Sequence, residues 1–152
     1  MAAIESTSGN IFDARAEALV NPVNCVGVMG KGLALAFKNA FPAMFESYRS
    51  ACKTGELEPG RVHVWENPSA SSTRFVINFP TKRHFRSKSR LEDIEATLPA
   101  LAEAVRSRGI TSIAVPALGA GLGGLAWSDV RPLVVGAFES MGDVEVLLFE
   151  PR

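Results

Sequence analysis

Asn21–Gly32, NPVNCVGVMGKG, and Gly119–Gly124, GAGLGG, are two glycine loops that decide how this chain folds. Each follows a short apolar run that ends abruptly: Ala18-Leu19-Val20 before the first, Ile113-Ala114-Val115-Pro116 before the second. Each then leads towards a helical pattern. Strand, glycine loop and helix together turn free backbone N–H groups and a helix N-terminus towards a phosphate. A single loop of this kind also serves as a plain turn. Two of them, a hundred residues apart, imply a nucleotide-like ligand held between strand ends through two phosphates, or a phosphate and a sugar.

Working outward, strands alternate with helices. Ala2–Ser6 and Ala18–Val20 are expected as strands, joined by a turn around Gly9-Asn10 and Asp13. Leu33, Phe37 and Phe41 recur at i, i+4 and i+8, one stripe of a helix that Pro42 stops. A second helix carries Met44, Phe45 and Tyr48, with Gly55 at its C-terminal cap. Arg61–Trp65 alternates as a strand with Val62 and Val64 on one face and a polar side carrying Arg61, His63 and Trp65. Arg74–Phe79 is the next strand, closed by Pro80. Ser89 and Glu92 make a capping-box pattern ahead of a stripe of Leu91, Ile94, Leu98, Leu101 and Val105, in which Pro99 predicts a kink or a boundary. Ser112–Val115 is a buried strand, Ser128 caps a helix with Pro132 in its first turn, and Val144–Phe149 is the last strand. The expectation is one α/β domain of three layers, α/β/α, around a central mixed sheet.

Composition narrows the class. The chain has 152 residues, 47% hydrophobic and 21% charged, enough for one domain with a real core. No apolar run approaches the roughly 20 residues of a membrane span, and the N-terminus lacks the features of a secretory signal. Two cysteines, Cys25 and Cys52, without metal-ligand spacing, point to reduced thiols and a cytoplasmic setting; Cys25 reads as a small apolar filler ahead of a catalyst. No metal cluster, no Ser-His-Asp set and no cofactor is expected, and nothing demands more than a monomer. Sixteen Lys/Arg balance sixteen Asp/Glu, but Thr81–Arg90, TKRHFRSKSR, holds five Lys/Arg, one His and no acid. That segment is either a solvated face or a surface for nucleic-acid phosphates.

Val20–Asn24 (VNPVN), Gly27–Ala34 (GVMGKGLA), Ile113–Gly124 (IAVPALGAGLGG) and the closing VEVLLF strand resemble the macrodomain family, the ADP-ribose-binding fold. The resemblance runs from about Gly9 to Phe149. Within the family, Asn24–Lys38 and Phe79–Glu95 are most similar to the DarG-type branch. These are antitoxins that remove ADP-ribose from thymine bases of DNA, opposing a DarT-like toxin. A related branch releases ADP-ribose from glutamate side chains. DarG-type proteins continue into a further C-terminal domain; the expectation here is a single macrodomain over residues 1–152, either an excised domain or a shorter protein.

The resemblance implies a site. Many family members have Gly-Asp-Ile where this chain has Gly9-Asn10-Ile11; the Asp receives the adenine amino group, and the Asn10 oxygen can accept the same bond without the charge. Asn24 would meet ribose hydroxyls, and Gly30, Lys31 and Gly32 would shape the distal ribose pocket. Gly119, Ala120, Gly121, Leu122 and Gly123 would wrap the diphosphate through backbone N–H groups. Phe149 would stack on adenine or belong to the core. Lys82 matches the lysine that is catalytic in both branches. Two roles stay open for it: a neutral amine attacking the anomeric carbon, or an ammonium stabilising the departing base or activating an oriented water. Glutamate-directed relatives carry an acid where this chain has Gly123, which counts against their acid-assisted route. Arg83, His84, Arg86, Lys88 and Arg90 would contact phosphates of an ADP-ribosylated single-stranded DNA, with His84 or Phe85 stacking on a neighbouring base. The expected activity is that of a DNA ADP-ribosyl glycohydrolase. The alternatives are a hydrolase acting on ADP-ribosylated acidic side chains and a non-catalytic ADP-ribose reader.

Overall fold

The computed structural model describes residues 3–151. Six strands form one sheet: β1 (Ala3–Thr7), β2 (Ala18–Val23), β3 (His63–Glu66), β4 (Phe75–Pro80), β5 (Ser112–Val115) and β6 (Glu145–Phe149). Their order is β1-β6-β5-β2-β4-β3, with every neighbouring pair parallel except β3 against β4. The sheet is therefore mixed, as expected. Helices α1 (Gly32–Ala40) and α2 (Pro42–Lys53) pack on one face, where Leu19, Val76 and Ala114 meet Phe37, Met44 and Tyr48. Helices α3 (Leu91–Ser107) and α4 (Trp127–Phe138) cover the other, where Val20, Ile77, Ile113 and Leu148 meet Ile94, Leu101, Val130 and Phe138. Central strands covered on both faces read as unbroken apolar runs, which is why β4 is buried along its whole length.

The chain moves from β2 out to β3 at the sheet edge, returns to β4 beside β2 and then crosses over β2 to reach β5. The direction of winding reverses between β2 and β5, and the segments leaving their carboxyl ends diverge there. This is where open α/β sheets leave a crevice for a ligand. The two glycine loops are those two segments.

Several local expectations are corrected. The first strand is described from Ala3 and ends at Thr7, one residue beyond the expected Ser6; the expected start, Ala2, lies outside the described residues. β2 continues through Asn21-Pro22-Val23 because Asn21 pairs with Asn78 on β4. The capping box does not form. Ser89 is drawn towards the second glycine loop, its N–H bonding Gly123 O at 3.0 Å, and Arg90 takes the cap position with no side-chain bond. Pro99 lies inside an uninterrupted α3, on its exposed side, where the carbonyl it leaves unpaired belongs to the exposed Glu95. Ala126 rather than Ser128 precedes α4, which puts Pro132 in its second turn. The supposed polar face of β3 is half-buried: Trp65 packs 5.8 Å from Phe41, ring centre to ring centre, and His63 joins a buried hydrogen-bond chain.

Candidate active site

Because β1, β2, β4, β5 and β6 are parallel, their carboxyl ends open onto one edge of the sheet. That edge gathers Asn10, the first loop, Lys82, the second loop and Phe149, residues spread over most of the chain.

The first loop is built around Asn24, which is 8% exposed. Its Oδ1 accepts the N–H groups of Val26 and Val28 at 3.1 and 3.3 Å, and its Nδ2 donates to Val28 O at 2.7 Å. The Tyr48 hydroxyl lies 2.8 Å from both Asn24 O and Oδ1. Burial pushes the Tyr48 phenol far above its ordinary range, so it serves here as a neutral donor. Asn24 therefore shapes the loop, with one Nδ2 hydrogen left for a ligand hydroxyl. Sequence reasoning read Tyr48 only as a core aromatic and missed this anchor. Gly30, Lys31 and Gly32 follow on the exposed entry to α1.

Lys82 leaves the end of β4 directly beside this loop. The N–H groups of Thr81 and Lys82 both reach Val23 O, at 2.8 and 3.3 Å, and Cys25 N–H reaches Arg83 O at 3.4 Å. The Cys25 thiol faces Lys82 O at 3.5 Å. Burial first, then the Cys52 sulfur, pushes that thiol up to about 11, so at neutral pH it is protonated and fills space rather than attacks. Lys82 itself is half-buried.

The basic segment runs away from Lys82 along the surface. Arg83 is held by Asp93, with Nε to Oδ2 and Nη2 to Oδ1 both at 3.0 Å. This bidentate pair braces the segment against α3. Arg86, Lys88 and Arg90 are exposed and make no salt bridge among the described residues. His84 is exposed beside Phe85. At its far end the segment meets the second glycine loop through Ser89. It thus spans from one ligand loop to the other.

The second loop admits side chains at few points. At Gly123 an added Cβ would fall onto Ser89 Oγ and within 2.5 Å of Gly119 O. Gly119 has φ +71°, and a Cβ there would meet Leu125 at 2.9 Å. Leu122 stands out from the loop, 67% exposed, its Cδ1 3.2 Å from where a Cβ on Gly32 would be. The two loops thus approach each other across the crevice. Ala120 and Gly121 complete the arc.

Beyond this arc a cavity of about 440 Å³ is lined by Asn10, Ile11, Gly32, Ala117, Phe149 and Glu150, among others. Asn10 Oδ1 already accepts Phe12 N–H at 2.9 Å, capping a short turn over Ile11–Asp13, and keeps a second lone pair. Phe149 is 9% exposed and packs into the core while it forms part of the cavity wall. Glu150, which sequence reasoning did not single out, accepts Trp127 Nε1–H and Arg131 Nε–H. Desolvation pushes its carboxyl up, but these bonds and one from Ser6 together outweigh it and hold the carboxyl below the ordinary range. A second hollow of about 330 Å³ at the amino ends of β1, β5 and β6 contains none of the expected site residues. Among the described residues no group of three or more His, Cys, Asp or Glu side chains is placed to hold a metal ion. No described helix is long and apolar enough to cross a membrane.

The domain is a three-layer α/β unit in which two glycine loops face each other at a winding reversal, where such sheets leave a crevice for a ligand. The chain belongs to the Macro domain family, whose profile matches residues 20–134. Over 144 residues, 95% of this chain, it is 47% identical to the DNA ADP-ribosyl glycohydrolase of Mycobacterium tuberculosis. It spans only 41% of that relative's length. Among solved structures, the macrodomain of Mycobacterium tuberculosis DarG superposes with a TM-score of 0.97 at 45% identity, covering all of both chains. Thermosipho africanus DarTG in complex with ADP-ribose gives 0.92 at 37% identity over 98% of this chain and 42% of that one.

Proposed function

We propose that this chain is a DNA ADP-ribosyl glycohydrolase that removes ADP-ribose from thymine bases and so acts as the antitoxin to a DarT-like DNA ADP-ribosyltransferase. Its substrate is ADP-ribosylated single-stranded DNA, its product ADP-ribose, and it works as a monomer in the cytoplasm. The observation that carries the reading is Lys82, half-buried, tied through its backbone to the first glycine loop and followed by an acid-free basic segment. The likeness to relatives named as DNA ADP-ribosyl glycohydrolases supports the same substrate.

In this reading the diphosphate lies along Gly119–Gly123 and the adenine enters the cavity beside Asn10, Ile11 and Phe149. The distal ribose lies between Asn24, Gly30–Gly32 and Lys82. Water adds to the anomeric carbon, the bond from that carbon to the thymine nitrogen breaks, and the nitrogen takes up a proton. Lys82 stabilises charge on the departing base or forms the transient covalent adduct that water then resolves. Release from acidic side chains through a loop carboxylate is disfavoured by packing at Gly123, where a side chain would displace Ser89 and the Gly119 carbonyl.

The test incubates the protein with a single-stranded oligonucleotide carrying ADP-ribosyl-thymine and, separately, with a glutamate-ADP-ribosylated protein. Release from DNA alone, lost in Lys82→Ala while that variant still binds ADP-ribose, is the expected result. Release from protein alone moves the chain to the other branch, and binding without release from either makes it a reader.

A further inference from the structure

Midway along the basic segment the chain turns sharply at His84–Ser87, and four hydrogen bonds hold this exposed turn. Ser87 N–H and Oγ–H both bond His84 O, at 3.1 and 2.8 Å. His84 N lies 3.1 Å from Ser87 Oγ, and Arg86 N–H donates to His84 Nδ1 at 3.1 Å. These contacts fix the imidazole, and the next ring is stacked on it: the His84 and Phe85 centroids are 4.2 Å apart at 29°. The Arg86 guanidinium lies over the Phe85 ring, 5.5 Å from its centroid, so a base that stacks there meets a ring already flanked by an imidazole and a guanidinium. Phe85 nonetheless remains 43% exposed and belongs to neither hydrophobic cluster.

A large apolar ring exposed to water, stacked on an imidazole and with a guanidinium over it, is suited to a flat, apolar-faced and negatively tethered ligand. An unpaired nucleobase has that chemistry: its face stacks on an aromatic ring and its backbone is met by cations. A base inside a duplex has both faces covered by its neighbours and cannot offer one. Reach also fits. Phe85 lies three residue steps beyond Lys82, at most about 11 Å of chain. A stacked strand rises 3.4 Å per nucleotide, so the ring falls within about three nucleotides of a base held at Lys82.

We infer that the His84–Phe85 pair is a stacking platform for an unpaired nucleobase beside the ADP-ribosylated one, with Arg86 and Lys88 on the adjoining phosphates. The site then recognises a single-stranded segment of DNA rather than a modified nucleoside alone. This rests on the glycohydrolase reading and assigns Phe85 to specificity within it. Because the stacked pair is already formed before substrate arrives, its contribution appears in KM and leaves kcat to Lys82.

The experiment compares two substrates, ADP-ribosyl-thymidine as a free nucleoside and a short single-stranded oligonucleotide carrying the same modification. Wild type, Phe85→Ala and Phe85→Trp are measured on both, with melting temperatures as a folding check. The ratio of kcat/KM, oligonucleotide over nucleoside, is expected to fall about 5- to 150-fold in Phe85→Ala, through KM, and to be kept by Phe85→Trp. An equal ratio in wild type and Phe85→Ala overturns the platform and leaves the ring available to a protein partner instead. If wild type releases ADP-ribose from neither substrate, the glycohydrolase reading fails separately. Direct binding of the modified oligonucleotide then decides: a loss of about fivefold or more in Phe85→Ala supports the platform, and equal affinity overturns it.

Discussion

Gly123→Ala tests the second loop at its tightest point. The added Cβ would lie 2.5 Å from Gly119 O and 2.9 Å from Ser89 Cβ, and would overlap Ser89 Oγ. Carbon–oxygen contacts normally settle near 3.3–3.6 Å, so the Gly119 carbonyl must retreat by roughly 1 Å. Overpacking of this kind costs about 1–3 kcal/mol, which in a chain of this size lowers Tm by roughly 3–10 °C. The displaced carbonyl belongs to the arc that would cradle the diphosphate. Losing one charge-assisted bond there, about 1.5–3 kcal/mol, weakens ADP-ribose binding by about 10- to 150-fold. Calorimetric titration with ADP-ribose and thermal unfolding read the two effects. Gly121→Ala is the stability control, since no atom lies within 4 Å of its added Cβ, and its stability should stay within about 0.5 kcal/mol. Adding Ser89→Ala to Gly123→Ala should not restore binding, because the added Cβ still clashes with Gly119 O and Ser89 Cβ. Wild-type affinity and Tm in Gly123→Ala would refute the account of the loop.

Further outcomes follow from particular contacts. Neutralising Arg86 and Lys88 together should weaken binding of ADP-ribosylated single-stranded DNA and lower the slope of log K against log salt by about 1.4, with free ADP-ribose binding kept; equal loss for both ligands would rule out the DNA track. Tyr48→Phe deprives Asn24 O and Oδ1 of their shared donor, an expected cost of about 1–3 kcal/mol in denaturant unfolding together with weaker ADP-ribose binding. His63 lies between Asn78 Nδ2 and Ser47 Oγ, each 3.0 Å from a ring nitrogen, and desolvation lowers its pKa despite the opposing charge of Glu56. The unfolded chain then binds the proton more readily than the folded one, so stability is full above about pH 6.5 and declines as pH falls through the folded value. His63→Asn should flatten that decline in unfolding midpoints measured across the range.

Much of this protein is legible locally. The Phe37 stripe of α1, the Ile94–Leu98–Leu101–Val105 stripe of α3 and the apolar runs of β4 and β5 announce themselves, because period and burial are written in neighbouring residues. The glycine loops and the acid-free segment after β4 are equally plain. What the residues alone could not give depends on register between strands far apart in the chain. Asn21 reads as the start of a loop until Asn78, 57 residues on, receives its amide at 3.0 Å and extends β2 through it. Asn24 reads as a free ligand group until Tyr48 closes on it, and Arg83 as a free cation until Asp93 takes it. Ser89 fits a capping box by spacing, but the fold sets it against Gly123. Local pattern determined which elements and which chemistry this chain carries. Only tertiary packing decided which polar groups stay available, because a hydrogen bond made across the sheet leaves that group with less to offer a ligand.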